Sequence, residues 1–305
     1  MRELQALTDL LTGPPPADAA QALAAAAAAV TRTLALLHAL AGQLADAQLR
    51  AQIAPLRRAF AASSFVRRAQ TWLRGHPGDF EIVEQIVDAA PGAPPGTWGW
   101  YLDRVLLDAP IAAQHRHKVD RQARAIEDCV AGRAGTRMLS LGCGGGRDFL
   151  QASARLRDVA ATIVLNDIDL DALALAQGRI AGPGLQVVPV PGHARRCVTH
   201  LAGGPGFDLI VIGGLLDYLP DAVLRRMLAT IDAALLAPGG RCLFTNIAVG
   251  NPYRPMLQYI ADWPLIERDE PQLLALCASI GITAERLTLE REPSGLTIVA
   301  TLAAR

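Results

Sequence analysis

The sequence predicts an α/β protein: a mostly parallel sheet flanked by helices, with an all-helical region in front of it. Three observations carry this expectation. Short β-rich runs alternate with helical stretches from about residue 112 onward, the pattern of a parallel sheet covered on both faces. A glycine turn, Gly142-Cys143-Gly144-Gly145-Gly146, joins the first β-rich run to a helix. Two last β patterns, 282–290 and 296–302, meet across a short turn and read as a closing hairpin, which puts an antiparallel strand at the sheet edge. The first 110 residues hold no strand pattern. A length of 305 residues suits about two domains, and the boundary is placed between 1–110 and 111–305.

The glycine turn organises the rest. Residues 138–141 are an apolar run of strand type, and 147–156 are helix-like. Between them Gly142, Gly144 and Gly146 remove side chains, so the backbone can approach a ligand, and the helix start offers unpaired N–H groups. Dinucleotide sites and S-adenosylmethionine (SAM) sites both use such a loop. The next strand, 162–165, ends in Asn166-Asp167-Ile168-Asp169. Asp167 stands at the strand tip, where an acid takes both hydroxyls of a ribose. Asp169 reads as the N-cap of a helix over 170–180.

Composition bounds the partners. Half the residues are apolar, enough for a large core, and 29 basic residues balance 29 acidic ones. A mixed, neutral chain argues against a nucleic-acid footprint. The five cysteines form no Cys-x-x-Cys pair and no zinc spacing, so no metal is expected, and a reducing cytoplasm is. Cys143 reads as a small residue filling the loop.

The N-terminus carries acids and no cleavage pattern, so no signal peptide is expected. Gly13-Pro14-Pro15-Pro16 breaks the chain. Residues 17–50 follow, with the alanine run 24–29 interrupted soon after by Arg32, and read as a soluble helical hairpin with Leu34, Leu37, Leu40 and Leu44 as its packing stripe. Residues 53–73 are a further helical stretch whose arginine pairs suit a solvated face. The segment 74–80, Arg-Gly-His-Pro-Gly-Asp-Phe, fixes a turn. Trp98, Trp100 and Tyr101 cluster in a chain poor in aromatics, as a hydrophobic anchor or as a pocket wall. Residues 111–129 read as a helix carrying His115, Arg116, His117 and Lys118.

Beyond Asp167 the alternation continues. Strands are expected over 185–190, closed by Pro191-Gly192-His193, over 207–212, followed by Gly213-Gly214-Leu215-Leu216-Asp217-Tyr218, and over 241–247. A helix over 221–236 stops at Ala237-Pro238-Gly239-Gly240.

From about Ala112 the chain resembles the class I SAM-dependent methyltransferases. Leu-Gly-Cys-Gly-Gly-Gly, the acidic tip Asp167, Phe207-Asp208-Leu209-Ile210, Pro238-Gly239-Gly240 and the closing hairpin carry the likeness. It implies a Rossmann-like methyltransferase sheet with SAM over the carboxyl ends of its first strands. By that likeness Gly142, Gly144 and Gly146 pass the methionine moiety, Asp167 holds ribose, Ile168 packs on adenine, and Gly213 and Leu215 line the cofactor. His193 stands near adenine, where the family often has an acid. A narrower likeness rests on Arg74-Gly75-His76-Pro77-Gly78-Asp79-Phe80-Glu81, Tyr101-Leu102-Asp103, Gly214-Leu215-Leu216-Asp217-Tyr218-Leu219 and Asn251-Pro252 with Asp262-Trp263 and Arg268. It resembles a bacterial subgroup that includes enzymes proposed to make 3-hydroxy-fatty-acid methyl ester signals.

These readings imply methyl transfer to a small carboxylate-bearing metabolite, fatty-acid-like or amino-acid-like, in secondary metabolism. Holding the acceptor in line with the methyl group is then the main task of the protein. Asp217 and Tyr218 are the expected catalytic pair. Trp98, Tyr101, Arg116, Asn246, Tyr253, Tyr259 and Arg268 are the expected acceptor contacts, with Arg116 and Arg268 gripping an acidic group. Two alternatives keep SAM: an intramolecular cyclisation releasing methylthioadenosine, and a non-catalytic SAM-binding regulator. Residues 1–110 are expected to form a helical cap over the site or to assemble a homodimer.

Overall fold

A computed structural model describes residues 2–305. The chain divides into two compact units, Met1–His115 with Gly250–Leu265, and Arg116–Val249 with Ile266–Arg305.

The first unit is helical. It contains α1 (Arg2–Thr12), α2 (Ala19–Ala41), α3 (Asp46–Phe60), α4 (Ser64–Thr71), α5 (Phe80–Asp88), α6 (Trp98–Asp108), the start of α7 (Pro110–Val130) and a π-helical turn, Met256–Ile260. Asp18 caps α2 by accepting the Gln21 N–H at 2.8 Å. The stripe that α2 buries is Ala22, Ala26, Ala29, Val30, Thr33 and Leu37. Of the four leucines expected there, Leu37 alone is fully buried; the small alanines let the helix approach α6 closely. By length and composition α2 is also apolar enough to cross a membrane.

The stretch expected as one helix over 53–73 is two. Its first part belongs to α3, which ends at Phe60, and Ser63 then caps α4, accepting the Val66 N–H at 3.0 Å. The reason lies on α6. The Asp103 carboxylate is fully buried and accepts from the Ser63 and Ser64 hydroxyls (2.5 and 2.6 Å) and from the Phe65, Gly92 and Ala93 amides (3.0–3.2 Å). The 74–80 turn is held in the same manner. Asp79 caps α5 through the Ile82 N–H (3.0 Å) and pairs with Arg68, while Arg74 pairs with Glu81 and lies 4.5 Å over the Phe80 ring. The 74–80 and 101–103 segments therefore do architectural work here.

The division at residue 110 leaves 250–265 with the sheet, yet this segment joins the helical unit. Met256, Tyr259 and Ile260 are buried in its core, the Gln70 amide donates to the Ile260 carbonyl (2.7 Å), and the Trp72 indole donates to the Asp262 carbonyl (2.9 Å).

The second unit is a seven-stranded sheet: β1 (Thr136–Leu141), β2 (Ala161–Asp167), β3 (Leu185–Pro191), β4 (Phe207–Ile212), β5 (Leu236–Ile247), β6 (Leu287–Arg291) and β7 (Thr297–Ala303). The order is β3-β2-β1-β4-β5-β7-β6, parallel except that β7 runs antiparallel to β5 and β6. Helices α8 (Arg147–Gln151), α9 (Ser153–Leu156), α10 (Leu170–Arg179), α11 (Ala194–Leu201), α12 (Asp221–Ala234) and α13 (Glu270–Ala278) complete it. Period-2 alternation sorts the strand side chains. Leu139, Val164, Ile210 and Ile212 face α11, α12 and α13, whereas Met138, Ile163, Leu209 and Val211 face α7, α9 and α10. This is the Rossmann-like methyltransferase fold, with the expected closing hairpin.

Three boundaries move. The helix expected over 147–156 breaks at Ala152 into α8 and α9. β5 starts at Leu236, and its register against β4 shifts between Phe207 and Leu209, so Pro238-Gly239-Gly240 lies inside an irregular strand start. β6 begins at Leu287 because Ala284–Arg286 is a 3-10 turn.

Asp103→Ala strands five donors in a dry site, each costing about 1–3 kcal/mol when left unpaired. Urea unfolding is expected to show a loss above about 3 kcal/mol; a loss below about 1 kcal/mol would contradict this role.

Candidate active site

The glycine turn, the tips of β2 and β3 and the loop after β4 all belong to the sheet unit. Gly142, Gly144 and Gly146 have φ of 64°, 51° and 67°, a region that side chains disfavour. A Cβ on Gly146 would lie 3.0 Å from the Ala176 Cβ on α10, so this glycine also lets helix and loop meet. The turn is locked to β2. The Gly144 amide donates to Asp167 Oδ2 (2.8 Å), the Asp169 amide to Asp167 Oδ1 (3.0 Å), and the Cys143 amide to the Asn166 carbonyl (3.0 Å). Asn166 Nδ2 in turn reaches the carbonyls of Val190 and Gly192, both at 2.8 Å, and ties in the end of β3.

Asp167 is half-buried, and each of its oxygens has accepted one backbone amide. An ionised carboxylate has about four acceptor positions, so each oxygen keeps capacity for a hydroxyl. Ile168, beside it, is 48% exposed, an apolar face that neither the sheet nor a helix covers. His193 is exposed at the start of α11 and makes no capping bond. The geometry thus fits a ribose at Asp167 and a flat apolar ring at Ile168. Asp169 caps α10 as expected, accepting the Asp171 amide at 2.9 Å. Burial pushes the Cys143 thiol well above its ordinary range and its Sγ lies 3.4 Å from the Gly144 carbonyl, so it fills the loop as an inert thiol.

Beyond β4, Gly213 packs against Gln122 of α7, whose side-chain nitrogen lies 2.4 Å from where a Cβ on Gly213 would stand. Leu215 covers Gly142, 3.6 Å from the position of its absent Cβ. Asp217 is buried. Its Oδ1 accepts the Ile247 amide (2.7 Å) and its carbonyl accepts the Ile266 amide (2.8 Å). Burial raises its pKa, against the pull of Lys118, the Ile247 amide and Arg268. This geometry makes Asp217 a clamp between the β4 loop and the end of β5. Tyr218, next to it, is half-buried.

Several expected acceptor contacts are engaged elsewhere. Arg268 is 3% exposed and its five N–H donors are all used: on Asp221 from Nε and from one terminal nitrogen, and on Asn246 Oδ1 and the Leu216 and Leu219 carbonyls. Instead of gripping a substrate it staples the β4 loop. Asn246 is likewise buried and donates to the Ile247 and Ile266 carbonyls (both 2.9 Å). Trp98 and Tyr101 are 5% exposed in the core of the helical unit, with the Trp98 indole donating to the Gly13 carbonyl (2.9 Å); they are the hydrophobic anchor rather than a pocket wall. Tyr259 is buried with Arg50 stacked 5.3 Å above its ring, and Tyr253 lines an apolar pocket of the helical unit. Arg116 is half-buried on α7.

The burial of two ions, Asp148 and Lys118, is not signalled by the local sequence. Asp148, at the start of α8, accepts the Phe149 amide at 2.9 Å, and burial pushes its pKa up to about 6. Lys118 is 3% exposed on α7. The signal for Asp148 is a carboxylate at the second position of the helix that follows the glycine turn.

A carboxyl whose pKa rises on folding binds more protons folded than unfolded between about pH 4 and pH 6. Its contribution to stability therefore falls as pH rises through that window, and above it the ionised form costs roughly 3 kcal/mol. Asp148→Asn keeps the acceptor for the Phe149 amide and removes the charge. Its melting temperature should exceed that of the wild type by several degrees near neutral pH and match it near pH 4; an equal shift at both pH values would refute the burial account.

Residues 139–242 match a family described as a methyltransferase domain. No curated protein matches the chain. Among solved structures, a possible exported protein from Bordetella parapertussis overlays with a TM-score of 0.61 at 18% identity, over 92% of this chain and 96% of that one. Magnesium protoporphyrin IX methyltransferase from Synechocystis PCC 6803 with bound S-adenosylhomocysteine is similar at 15% identity and a TM-score of 0.47, over 64% of this chain and 87% of that one. The N-methyltransferase NodS from Bradyrhizobium japonicum WM9 is similar at 16% identity and a TM-score of 0.43, over 74% and 97% respectively. The family match spans the glycine turn, the Asp167 tip and β4 within a Rossmann-like methyltransferase sheet, and it supports a SAM-dependent methyltransferase as the class of this protein.

Proposed function

We propose that the protein transfers the methyl group of SAM to a small carboxylate-bearing metabolite with an apolar chain, releasing S-adenosylhomocysteine. The observation that carries the reading is the locked constellation at the carboxyl ends of β1 and β2. Three left-handed glycines open the backbone, and Asp167 stands beside them with acceptor capacity left on both oxygens. SAM supplies an already activated methyl group. What remains for the chain is to bind, orient and exclude water.

Gly142, Gly144 and Gly146 admit the amino-acid end, Asp167 takes the ribose hydroxyls, and Ile168 and His193 border the adenine. A carboxylate oxygen is nucleophilic as it stands and needs no general base, unlike an amine or a hydroxyl. The state of Asp217 agrees with that, because one of its oxygens is fixed on the Ile247 amide. Asp217 then acts by holding Tyr218 and the β4 loop in place. Taken by itself, the helical unit contains an apolar pocket lined by Phe65, Ile86, Leu106, Met256, Ile260 and Trp263, with Gln114, His115 and Tyr253 as polar members. A reaction on a free small molecule in a reducing cytoplasm belongs to the same proposal, on the neutral charge balance and the five free thiols.

Two measurements test it. Asp167→Ala should weaken S-adenosylhomocysteine binding in calorimetry by more than about tenfold, since a charge-assisted bond contributes roughly 1.5–3 kcal/mol; unchanged affinity in a folded variant would remove Asp167 from the site. With straight-chain acids as acceptors, four extra methylenes should lower KM more than tenfold, given about 0.8 kcal/mol for each one buried. A KM independent of chain length would remove the apolar chain from the proposed acceptor.

A further inference from the structure

On α7, Gln122 and Lys118 stand one turn apart and face the loop after β4. Gln122 packs on Gly213, and its Nε2 donates to the Gly213 carbonyl (3.5 Å). Lys118 Nζ lies 3.7 Å from where a Cβ on Gly214 would be, while Leu215, the next residue, covers Gly142 of the glycine turn. Helix, β4 loop and glycine turn therefore meet along one short line, Lys118–Gly214–Leu215–Gly142. The glycines along it keep the backbone bare.

Lys118 is 3% exposed, and its ammonium makes no hydrogen bond and no ion pair among the described residues. The Nζ is not among the polar atoms sealed from solvent without a partner, so the cation is mostly but not wholly stripped of water, and a carboxylate reaching it would restore what burial removed. The neighbouring charges supply no direct partner. The Glu292 carboxylate is engaged by His117 (2.7 Å), by the Ser294 hydroxyl and by the Ser294, Leu296 and Thr297 amides. Asp217 has one oxygen on the Ile247 amide and forms no ion pair with Lys118. Both carboxylates act on the ammonium only through space, opposing the burial that lowers its pKa. The other buried cation, Arg268, has no donor left.

We infer that Lys118 is the anchor for the carboxylate of the amino-acid end of SAM, which it meets across the bare Gly213-Gly214 turn. This rests on the SAM reading above. Asp167 is bonded to the β2 side of the glycine turn through the Gly144 amide, and Lys118 approaches the β4 loop at Gly214, next to the Leu215 that covers Gly142, so the two charges would meet different parts of one ligand. The reacting carboxylate of an acceptor is the poorer client. An ammonium bound to it would withdraw electron density from the oxygen that must attack, whereas the carboxylate of SAM does not react. Three N–H donors facing an unreactive carboxylate give affinity without that penalty.

The test compares S-adenosylhomocysteine with its decarboxylated analogue by titration calorimetry, on the wild type, Lys118→Met and Lys118→Arg. The wild type should prefer the carboxylate-bearing ligand by more than about tenfold, the scale of a charge-assisted bond. Lys118→Met should lose that preference through weaker S-adenosylhomocysteine binding, with affinity for the analogue unchanged, and Lys118→Arg should retain part of it. Equal affinity of the wild type for both ligands overturns the inference without any variant, so it stays testable should a variant not fold. A preference that survives in Lys118→Met overturns it as well and leaves Lys118 to an acceptor or to structure. A wild type that binds neither ligand overturns the SAM reading itself.

Discussion

One guanidinium holds the carboxyl edge of the sheet together. Arg268 follows the 250–265 segment in the chain, reaches back to the Leu216 and Leu219 carbonyls, and also clamps Asn246 and Asp221. Its backbone is fixed too, since the Arg268 amide donates to the Ile247 carbonyl and the Val249 amide to the Arg268 carbonyl. The β4 loop would otherwise be a run of Gly213, Gly214 and short turns with little to define it. Held by Arg268 on one side and by the bond from the Ile247 amide to the Asp217 carboxylate on the other, it gains a single conformation, and Leu215 is set over Gly142. Pre-organisation of this kind is what group transfer requires when the chemistry itself needs no catalytic acid or base. Breaking a buried ion of this type by removing one partner costs more than the pair contributes, because the survivor stays dry and charged.

The helical unit solves a similar problem by other means. Asp103 gathers donors from the start of α4 and from the loop ahead of α6, and Asp79 and Arg68 do the same at the start of α5. Helices as short as α4 and α5 gain little from propensity alone. Side-chain carboxylates at their starts satisfy the free amides and set the angle at which each new helix leaves. That explains why the aspartates of the 74–80 and 101–103 segments carry geometry rather than chemistry.

Much of the sheet unit was legible in the sequence because its signals are local. The glycine turn needs left-handed backbone, which glycine supplies, and Asp167 follows a β-rich run at the one place where an acid can face that turn. Period-2 runs and the closing hairpin are equally local. The acceptor side was not legible, and the reason is physical. Whether Arg268, Asn246 and Asp217 are free or engaged depends on partners 20 to 52 positions away, which no window of sequence contains. Trp98 and Tyr101 were ambiguous for a related reason, since an aromatic pair suits a core and a pocket wall equally until its indole is found on Gly13. The break at Ser63 and the start of α13 at Asp269 were readable, as a Ser-Ser pair and as a capping box closed by Gln272. Apolar periodicity runs through the first without a break, which masks the cap at Ser63.

Buried polar groups of the sheet unit separate into three kinds. Arg268, Glu292 and Asp217 are engaged by backbone amides, carbonyls or partner side chains, and they close the structure on itself. Thr136 and Thr245 keep a hydroxyl without a partner, which costs little because the group is neutral and small. Lys118 and Asp148 are different: each is an ion, each is buried, and neither has a partner of opposite charge in contact. Both border the glycine turn, Asp148 from the helix that follows it and Lys118 through Gly214 and Leu215. A fold that engages Arg268 with five bonds has the means to pair its buried charges. Lys118, left without a direct partner beside the β4 loop, is the group to which the inferred ligand carboxylate is assigned.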